Sequence, residues 1–439
     1  MNIKQYYADK EGIALFCILI VISALAAFLS VLNMHFTSDS FEYGLVTQQI
    51  LSGNGIRVPL VWFNSTIIPS DGTVPFLLHP PLLPIILSAM GGITPGNILP
   101  AQILNIVCHV AVSGFTFLFM KRLYGGAIAL LSGIVVSFAF PLLKVTHFFW
   151  SETLFIALTM AAVYLLVVSR ESDRYRFRRV LFAGICASAA IMTRYVGIAL
   201  VALFCWEFLV FMKRRESKSG YGSIILAAMM PVFTIAGLFM RNYMLSGLMR
   251  GIDLPVPERT LLSAFSGTAE MLFMQFQLGR NSAAVIIVFV VLFLICIVMS
   301  NDLRKELLRL SRAGLDLLIV FVISYAGLIC ISMAKNQPNF ELRFMAPLVP
   351  FLIILIIIMI VSISRIEGVR RISGLSVGVM ILLLGMLAAG NFYKTYLNMP
   401  YFLNENSKSS VFLESCTYKW IINNYDGKGL VATNKSFKL

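Results

Sequence analysis

The sequence predicts an all-α polytopic membrane protein of about eleven transmembrane helices. Three observations carry that reading. Of the 439 residues, 59% are hydrophobic and only 13% charged, against about 45–50% and about 25% in soluble domains. The mean hydropathy is +0.86. The apolar residues also gather in runs close to the roughly 20 residues a helix needs to cross a hydrocarbon core, and not in the short alternating segments of a transmembrane β-barrel. An ordinary soluble enzyme and a disordered chain are both excluded.

Runs bounded by charge or by Pro and Gly lie near 12–33, 98–120, 124–143, 148–169, 179–193, 195–212, 221–240, 283–300, 315–334, 345–364 and 372–391. The first has no small-residue cleavage site before the acidic loop that follows, so it reads as a retained helix and not as a signal peptide. The run 80–93 opens with Pro80-Pro81 and is too short to span, which suits an interfacial or re-entrant helix. Residues 1–391 then form one transmembrane domain with a long first outer loop, 34–97, and 392–439 form a short extracytoplasmic C-terminal segment.

The formal charge is +14, from 35 Lys and Arg against 21 Asp and Glu. No basic stripe with interleaved aromatics lies outside the spans, so nucleic acid is not the expected partner. The positive-inside rule accounts for most of the excess. With the N-terminus in the cytoplasm, the inner segments hold 20 Lys and Arg and the outer loops nine. The long loops 34–97 and 241–282 and the tail then share the outer side, where loops of that length place function. None of the seven Cys forms a CxxC, and six lie within apolar runs, so neither a disulfide framework nor a zinc site is expected.

Few polar residues stand out on the outer side. Asp39 opens an amphipathic stretch, Phe41, Leu45, Val46 and Ile50, that stops at Gly53-Asn54-Gly55. Asp with Glu42 three residues later reads as a capping box. The functional alternative is a general base held at the membrane surface by the helix terminus. Glu152, in His147-Phe148-Phe149-Trp150-Ser151-Glu152, is either an anchor in an aromatic belt or a metal ligand or second acid, because a carboxylate at the hydrocarbon edge needs a partner. His79, before Pro80-Pro81, is a turn residue or a ligand to metal or phosphate. Arg194, Arg241 and Arg343 lie at outer helix ends, against the positive-inside trend. Each alone fits snorkelling or a local salt bridge, such as Arg343 with Glu341. Together they suit a lipid phosphate, which a guanidinium grips with two hydrogen bonds. Glu207 reads as snorkelling toward Lys213–Arg215.

Five stretches in this order resemble the GT-C glycosyltransferases that use polyprenyl-phosphate sugars, such as the protein O-mannosyltransferases and the aminoarabinose lipid A transferases. They are Asp39-Ser40-Phe41-Glu42-Tyr43 with Gln49 to Gly55; His79-Pro80-Pro81-Leu82-Leu83-Pro84; Ser151-Glu152-Thr153-Leu154-Phe155; Arg241-Asn242-Tyr243 with Ser246-Gly247; and Arg343-Phe344-Met345-Ala346-Pro347-Leu348-Val349-Pro350. The resemblance implies a GT-C fold in a bacterial or archaeal cell membrane, with amphipathic juxtamembrane helices in the first outer loop. It implies an inverting transfer of one sugar from a polyprenyl-phosphate donor to a lipid, glycan or protein acceptor on the outer face. Asp39 would be the base, and Arg241, Arg343 and Arg194 would face the donor phosphate. Glu152 and His79 would hold a divalent metal, magnesium or manganese, or act as a second acid, with Glu42 and Tyr43 in support. The family often shows two adjacent acids in the first loop, whereas Ser38 precedes Asp39 here. The competing classes are a lipid-linked sugar flippase and a non-catalytic subunit of envelope-glycan assembly.

Overall fold

The computed structural model describes residues 3–58, 73–94, 97–171, 173–214, 218–251, 259–275, 301–335 and 341–364. Their helices are α1 (Ile3–Val31), α2 (Ser38–Leu51), α3 (Leu82–Ala89), α4 (Leu99–Tyr124), α5 (Gly126–Ser137), α6 (Phe140–His147), α7 (Glu152–Ser169), α8 (Asp173–Thr193), α9 (Val201–Arg214), α10 (Lys218–Ser246), α11 (Leu261–Gln275), α12 (Asn301–Arg312), α13 (Leu315–Lys335) and α14 (Val349–Ser364). One stretch of 3-10 helix precedes α9 (Tyr195–Leu200) and another precedes α14 (Leu342–Leu348). A two-stranded antiparallel ribbon pairs β1 (Arg57–Val58) with β2 (Val74–Pro75), in register Arg57 to Pro75.

Seven described segments are long and apolar enough to cross a membrane: Lys10–Val31, Leu99–Tyr124, Glu152–Ser169, Tyr195–Lys213, Tyr221–Ser246, Leu315–Lys335 and Leu342–Ser362. The expected span 124–143 is instead a pair of helices, α5 and α6, bent by 50° at the break between them. Pro141 in the first turn of α6 explains the break, since it has no N–H to continue the preceding helix. The pair counts as an eighth crossing if taken as one. The expected span 179–193 is the C-terminal part of α8, whose first two turns carry Asp173, Arg174, Arg176, Arg178 and Arg179. The helix expected from 148 begins only at Glu152, because residues 148–150 are drawn into pairing with the first loop. The expected short helix in 80–93 is α3. The expected spans 283–300 and 372–391, and the segment 392–439, lie outside the described residues.

Helix α7 sits between α4 and α8, α8 packs on α10, and α1 packs on α4 and α5. With lipid outside, apolar burial does little to drive helices together, so small residues and buried hydroxyls carry much of the contact. Ser23 of α1 and Ser137 of α5 both donate to Ser113 Oγ of α4, at 3.1 and 3.0 Å. At the α8–α10 crossing a Cβ on Gly184 would lie 2.7 Å from the Ala227 carbonyl oxygen. Gly184→Ala is therefore expected to cost about 1–3 kcal/mol, as overpacking usually does, read as a lowered melting temperature of the purified protein in detergent.

Candidate active site

The first loop is fastened to the start of α7 by main-chain bonds. His35 N–H donates to the His147 carbonyl and Phe149 N–H to the His35 carbonyl, each at 3.0 Å. Asp39 and Glu152 lie just beyond this short parallel bridge, so it brings the two acids to one place. Two side chains secure it: Ser40 Oγ donates to the Phe149 carbonyl at 2.7 Å, and Trp150 Nε1 to Thr37 Oγ1 at 2.8 Å.

The capping reading of Asp39 is wrong. Thr37 is the cap of α2, and its N–H donates to Ser40 Oγ at 2.9 Å. That leaves the Asp39 carboxylate, in the first turn, to face Arg343, whose Nη1 lies 2.6 Å from Asp39 Oδ2. Arg343 Nε lies 2.5 Å from Glu341 and 3.8 Å from Glu152, and the guanidinium stacks on the Trp150 ring at 4.7 Å. The expected local pair of Arg343 with Glu341 therefore exists, together with a second pair 304 residues away. Glu152, 1% exposed, is ion-paired to Arg194. Arg194 also reaches Ser151 Oγ at 3.4 Å, and Tyr43 donates to the same hydroxyl at 3.1 Å. His79 lies against the Tyr43 ring at 5.3 Å.

Five of the expected site residues, Asp39, Tyr43, His79, Glu152 and Arg194, thus converge with Arg343. Arg241 pairs with none of these groups among the described residues. Its Nη2 donates to the Phe76 carbonyl at 3.0 Å, and its neighbour Asn242 donates to Tyr195 Oη at 2.8 Å. Tyr195 in turn donates to the Leu77 carbonyl at 3.2 Å. Arg241 thus braces the back of the loop that carries His79. Gly251 fits here only because it lacks a Cβ: at φ +83° the added atom would meet the Leu77 carbonyl oxygen at 2.9 Å. Sequence reasoning missed the stacking of Trp150 on Arg343. The aromatic run before Glu152 was its only local sign.

The electrostatics separate the acids. Burial pulls the Asp39 carboxyl up, but the Arg343 charge and hydrogen bond, with His79 and Arg194, outweigh it and hold the group below its ordinary value. Glu42, 1% exposed, has both oxygens without a hydrogen-bond partner among the described residues. Burial, then repulsion from Asp39, pushes its carboxyl well above the usual range. Burial pulls His79 down to about 4, against the pull of Asp39. The surroundings thus favour the ionised form of Asp39 and the neutral forms of His79 and Glu42.

Glu42 makes a testable contribution to stability. The folded state keeps its proton where the unfolded chain has already released it, so stability falls as pH rises from the unfolded value near 4.3 toward the raised folded value. Glu42→Gln removes that ionisation. The variant is expected to match the parent's melting temperature at pH 4 and to exceed it at pH 8. The gap widens by at most about 1.4 kcal/mol per pH step of one, and stops widening once the folded carboxyl itself ionises. Equal pH dependence in the two proteins would show that Glu42 is already ionised.

The expected metal does not find a cage here. Among the described residues no group of three His, Cys, Asp or Glu is placed to hold an ion. Asp39 and Glu152 are both engaged by arginine, which is the geometry of an ion-pair network that cradles an anion or a developing charge.

Residues 78–237 match the model of the dolichyl-phosphate-mannose-protein mannosyltransferase family. Among solved structures, ArnT from Cupriavidus metallidurans in the apo state superposes with a TM-score of 0.55 at 14% identity, over 92% of this chain and 68% of that one. ArnT bound to undecaprenyl phosphate gives the same values. The archaeal oligosaccharyltransferase AglB from Archaeoglobus fulgidus, in complex with an inhibitory peptide and a dolichol-phosphate, gives 0.50 at 12% identity, over 93% of this chain and 56% of that one. The fold is that of the GT-C glycosyltransferases. No curated protein is similar enough in sequence to match. The matched stretch 78–237 begins beside His79 and contains Glu152 and Arg194, whereas Asp39, Tyr43 and Arg343 lie outside it.

Proposed function

We propose that the protein is an integral-membrane glycosyltransferase that moves one sugar, with inversion, from a polyprenyl-phosphate donor to an acceptor hydroxyl. The reaction takes place at the end of the bundle that carries Asp39, and the charge distribution of the loops supports an extracytoplasmic position for that end and a cytoplasmic N-terminus. The observation that carries the reading is the ion pair of Asp39 with Arg343 beside the pair of Glu152 with Arg194. The proteins of like fold bound to undecaprenyl phosphate and to a dolichol-phosphate support the donor class.

The chemistry follows from competition for Arg343. A donor phosphate carries one negative charge over two free oxygens and can take a guanidinium in two parallel hydrogen bonds, as a carboxylate does. Its arrival draws Arg343 from Asp39. Losing that positive partner, Asp39 rises from its depressed value toward the range useful to a base. The acceptor O–H then gives its proton to Asp39 while its oxygen bonds to the anomeric carbon. The bond from that carbon to the phosphate oxygen breaks, and the charge left on the polyprenyl phosphate falls to Arg343 and Arg194. Glu152 holds Arg194 in place, and the burial that favours the protonated form of Glu42 keeps a further negative charge away from the phosphate.

The test is turnover by the purified full chain given polyprenyl-phosphate sugars and envelope acceptors, read by mass spectrometry. A sugar-mass increment on an acceptor, with release of polyprenyl phosphate, is expected. Intact donor and acceptor after incubation with protein that binds the donor would overturn the reading in favour of a flippase or an assembly subunit.

A further inference from the structure

A second cluster of charge lies at the far end of the bundle from Asp39. Helix α7 has Glu152 at one end and is followed directly by Arg170 at the other, about 27 Å away at 1.5 Å per residue. There the end of α4, the turn after α7 and the helix α12 converge on a cavity of about 540 Å3, a volume within the usual range for ligand pockets. Arg122, Lys305, Arg309 and Arg312 line it, with Glu171 the one acid among its lining residues.

The positive-inside rule explains why basic residues lie at this end. It does not explain a cavity, nor what the guanidinium of Arg122 does there. Arg122 Nη2 pairs with Glu171 at 2.6 Å, while its Nη1 is buried with no hydrogen-bond partner among the described residues. A buried donor left unpaired is costly, so this one calls for an acceptor beyond the described residues. Arg312 is exposed and pairs with no acid among the described residues. Arg309 is held by Glu306 at 2.7 Å.

The lining also has an apolar side. Leu308, 63% exposed, lies on the rim between the basic residues of α12. Its helix is strongly amphipathic, with Leu310 fully buried against the bundle, so Leu308 stands on the side that the bundle does not cover. A free anion has no use for an exposed leucine beside its charge partners. A phospholipid has a phosphate for the arginines and acyl chains for the leucine.

We propose that this cavity binds the phosphate head group of an anionic phospholipid, with Arg122 Nη1 and Arg312 as its hydrogen-bond donors and Leu308 against its chains. Basic pockets between transmembrane helices recognise anionic head groups in this manner.

The experiment measures lipid binding to the full chain in non-denaturing detergent by native mass spectrometry, with dioleoylphosphatidylglycerol, dioleoylphosphatidylcholine and inorganic phosphate as separate probes. The glycerol lipid is expected to bind at least about tenfold more tightly than the choline lipid, given about 1 kcal/mol for each basic residue near a head group. The Arg122→Gln, Arg312→Gln double variant is expected to lose about ten- to thirtyfold in affinity for it. Arg304→Gln, on the same helix but outside the cavity lining, is expected to change it by less than about twofold, since a surface charge away from the pocket acts only weakly through screening. Arg312→Gln alone, at an exposed position, keeps the test if the double variant does not fold. Equal binding of the two lipids, or equal loss in Arg304→Gln, would reduce the site to diffuse surface attraction and overturn the proposal. Inorganic phosphate binding as tightly as the glycerol lipid would overturn it in favour of a free-anion site.

Discussion

Asp39→Asn is expected to lower sugar transfer by about 10²- to 10⁴-fold, the usual contribution of a positioned general base, while donor binding survives. Asparagine keeps the shape of the side chain in the first turn of α2 and can still accept a hydrogen bond from Arg343, but it cannot take a proton from the acceptor. Titration of the purified variant with polyprenyl-phosphate sugar should therefore give affinity equal to or tighter than the parent, because the phosphate no longer competes with a carboxylate for the guanidinium now 2.6 Å from Asp39. Undiminished turnover would remove Asp39 from the chemistry. A flippase predicts no effect on movement of the lipid-linked sugar. The pH profile adds a second reading. In the free enzyme Asp39 is held below the ordinary carboxylate value, so the acid limb of kcat/KM is expected below about pH 4. Once phosphate shares Arg343, the same group titrates higher, so the acid limb of kcat is expected to lie above that of kcat/KM. Coincident limbs would mean that donor binding does not loosen the Asp39–Arg343 pair.

The membrane class, most of the described spans and the short α3 were legible in the sequence because hydrophobic length is local information. The candidate site was legible only in its residues. Asp39 drew the eye as a cap because Glu42 follows at the right spacing, yet Thr37 and Ser40 satisfy the helix start, and Glu42 is buried without a hydrogen-bond partner among the described residues. Nothing within a turn of Asp39 could reveal that its partner is Arg343. The same limit separated Arg241 from Arg343: both sit at helix ends on one side, and only the path of the 73–79 loop gives Arg241 the Phe76 carbonyl as its partner. Helix breaks were half legible. Pro141 was in plain view, but its consequence, a 50° bend between α5 and α6, depends on what the helices pack against.

Glu207 shows the same limit with the largest consequence for stability. Its expected snorkelling toward Lys213–Arg215 is replaced by a buried network. Arg170, which caps α7, lies 2.6 Å from Glu207 on α9 and 2.8 Å from Asp316 on α13, and is 3% exposed. Its Nη1 also reaches the Ser311 carbonyl at 3.2 Å, and Trp206 Nε1 donates to Asp316 at 2.7 Å. One guanidinium thus ties α7, α9, α12 and α13 together, and its charge suits the C-terminus it caps. Arg170→Gln is expected to destabilise the protein by about 3–5 kcal/mol, because two carboxylates remain buried without the cation that neutralised them. A melting curve in detergent within about 1 °C of the parent's would refute this, since 1 kcal/mol moves the midpoint of a large domain by about 2–4 °C. Arg170→Met combined with Glu207→Leu and Asp316→Asn is expected to recover most of the loss, as apolar replacements of buried ion networks commonly do. The folded fraction of Arg170→Gln should keep the parent's turnover per molecule, because the network lies a full span from Glu152. A fall in turnover without a fall in melting temperature would mean instead that the far end of α7 sets the position of the acids.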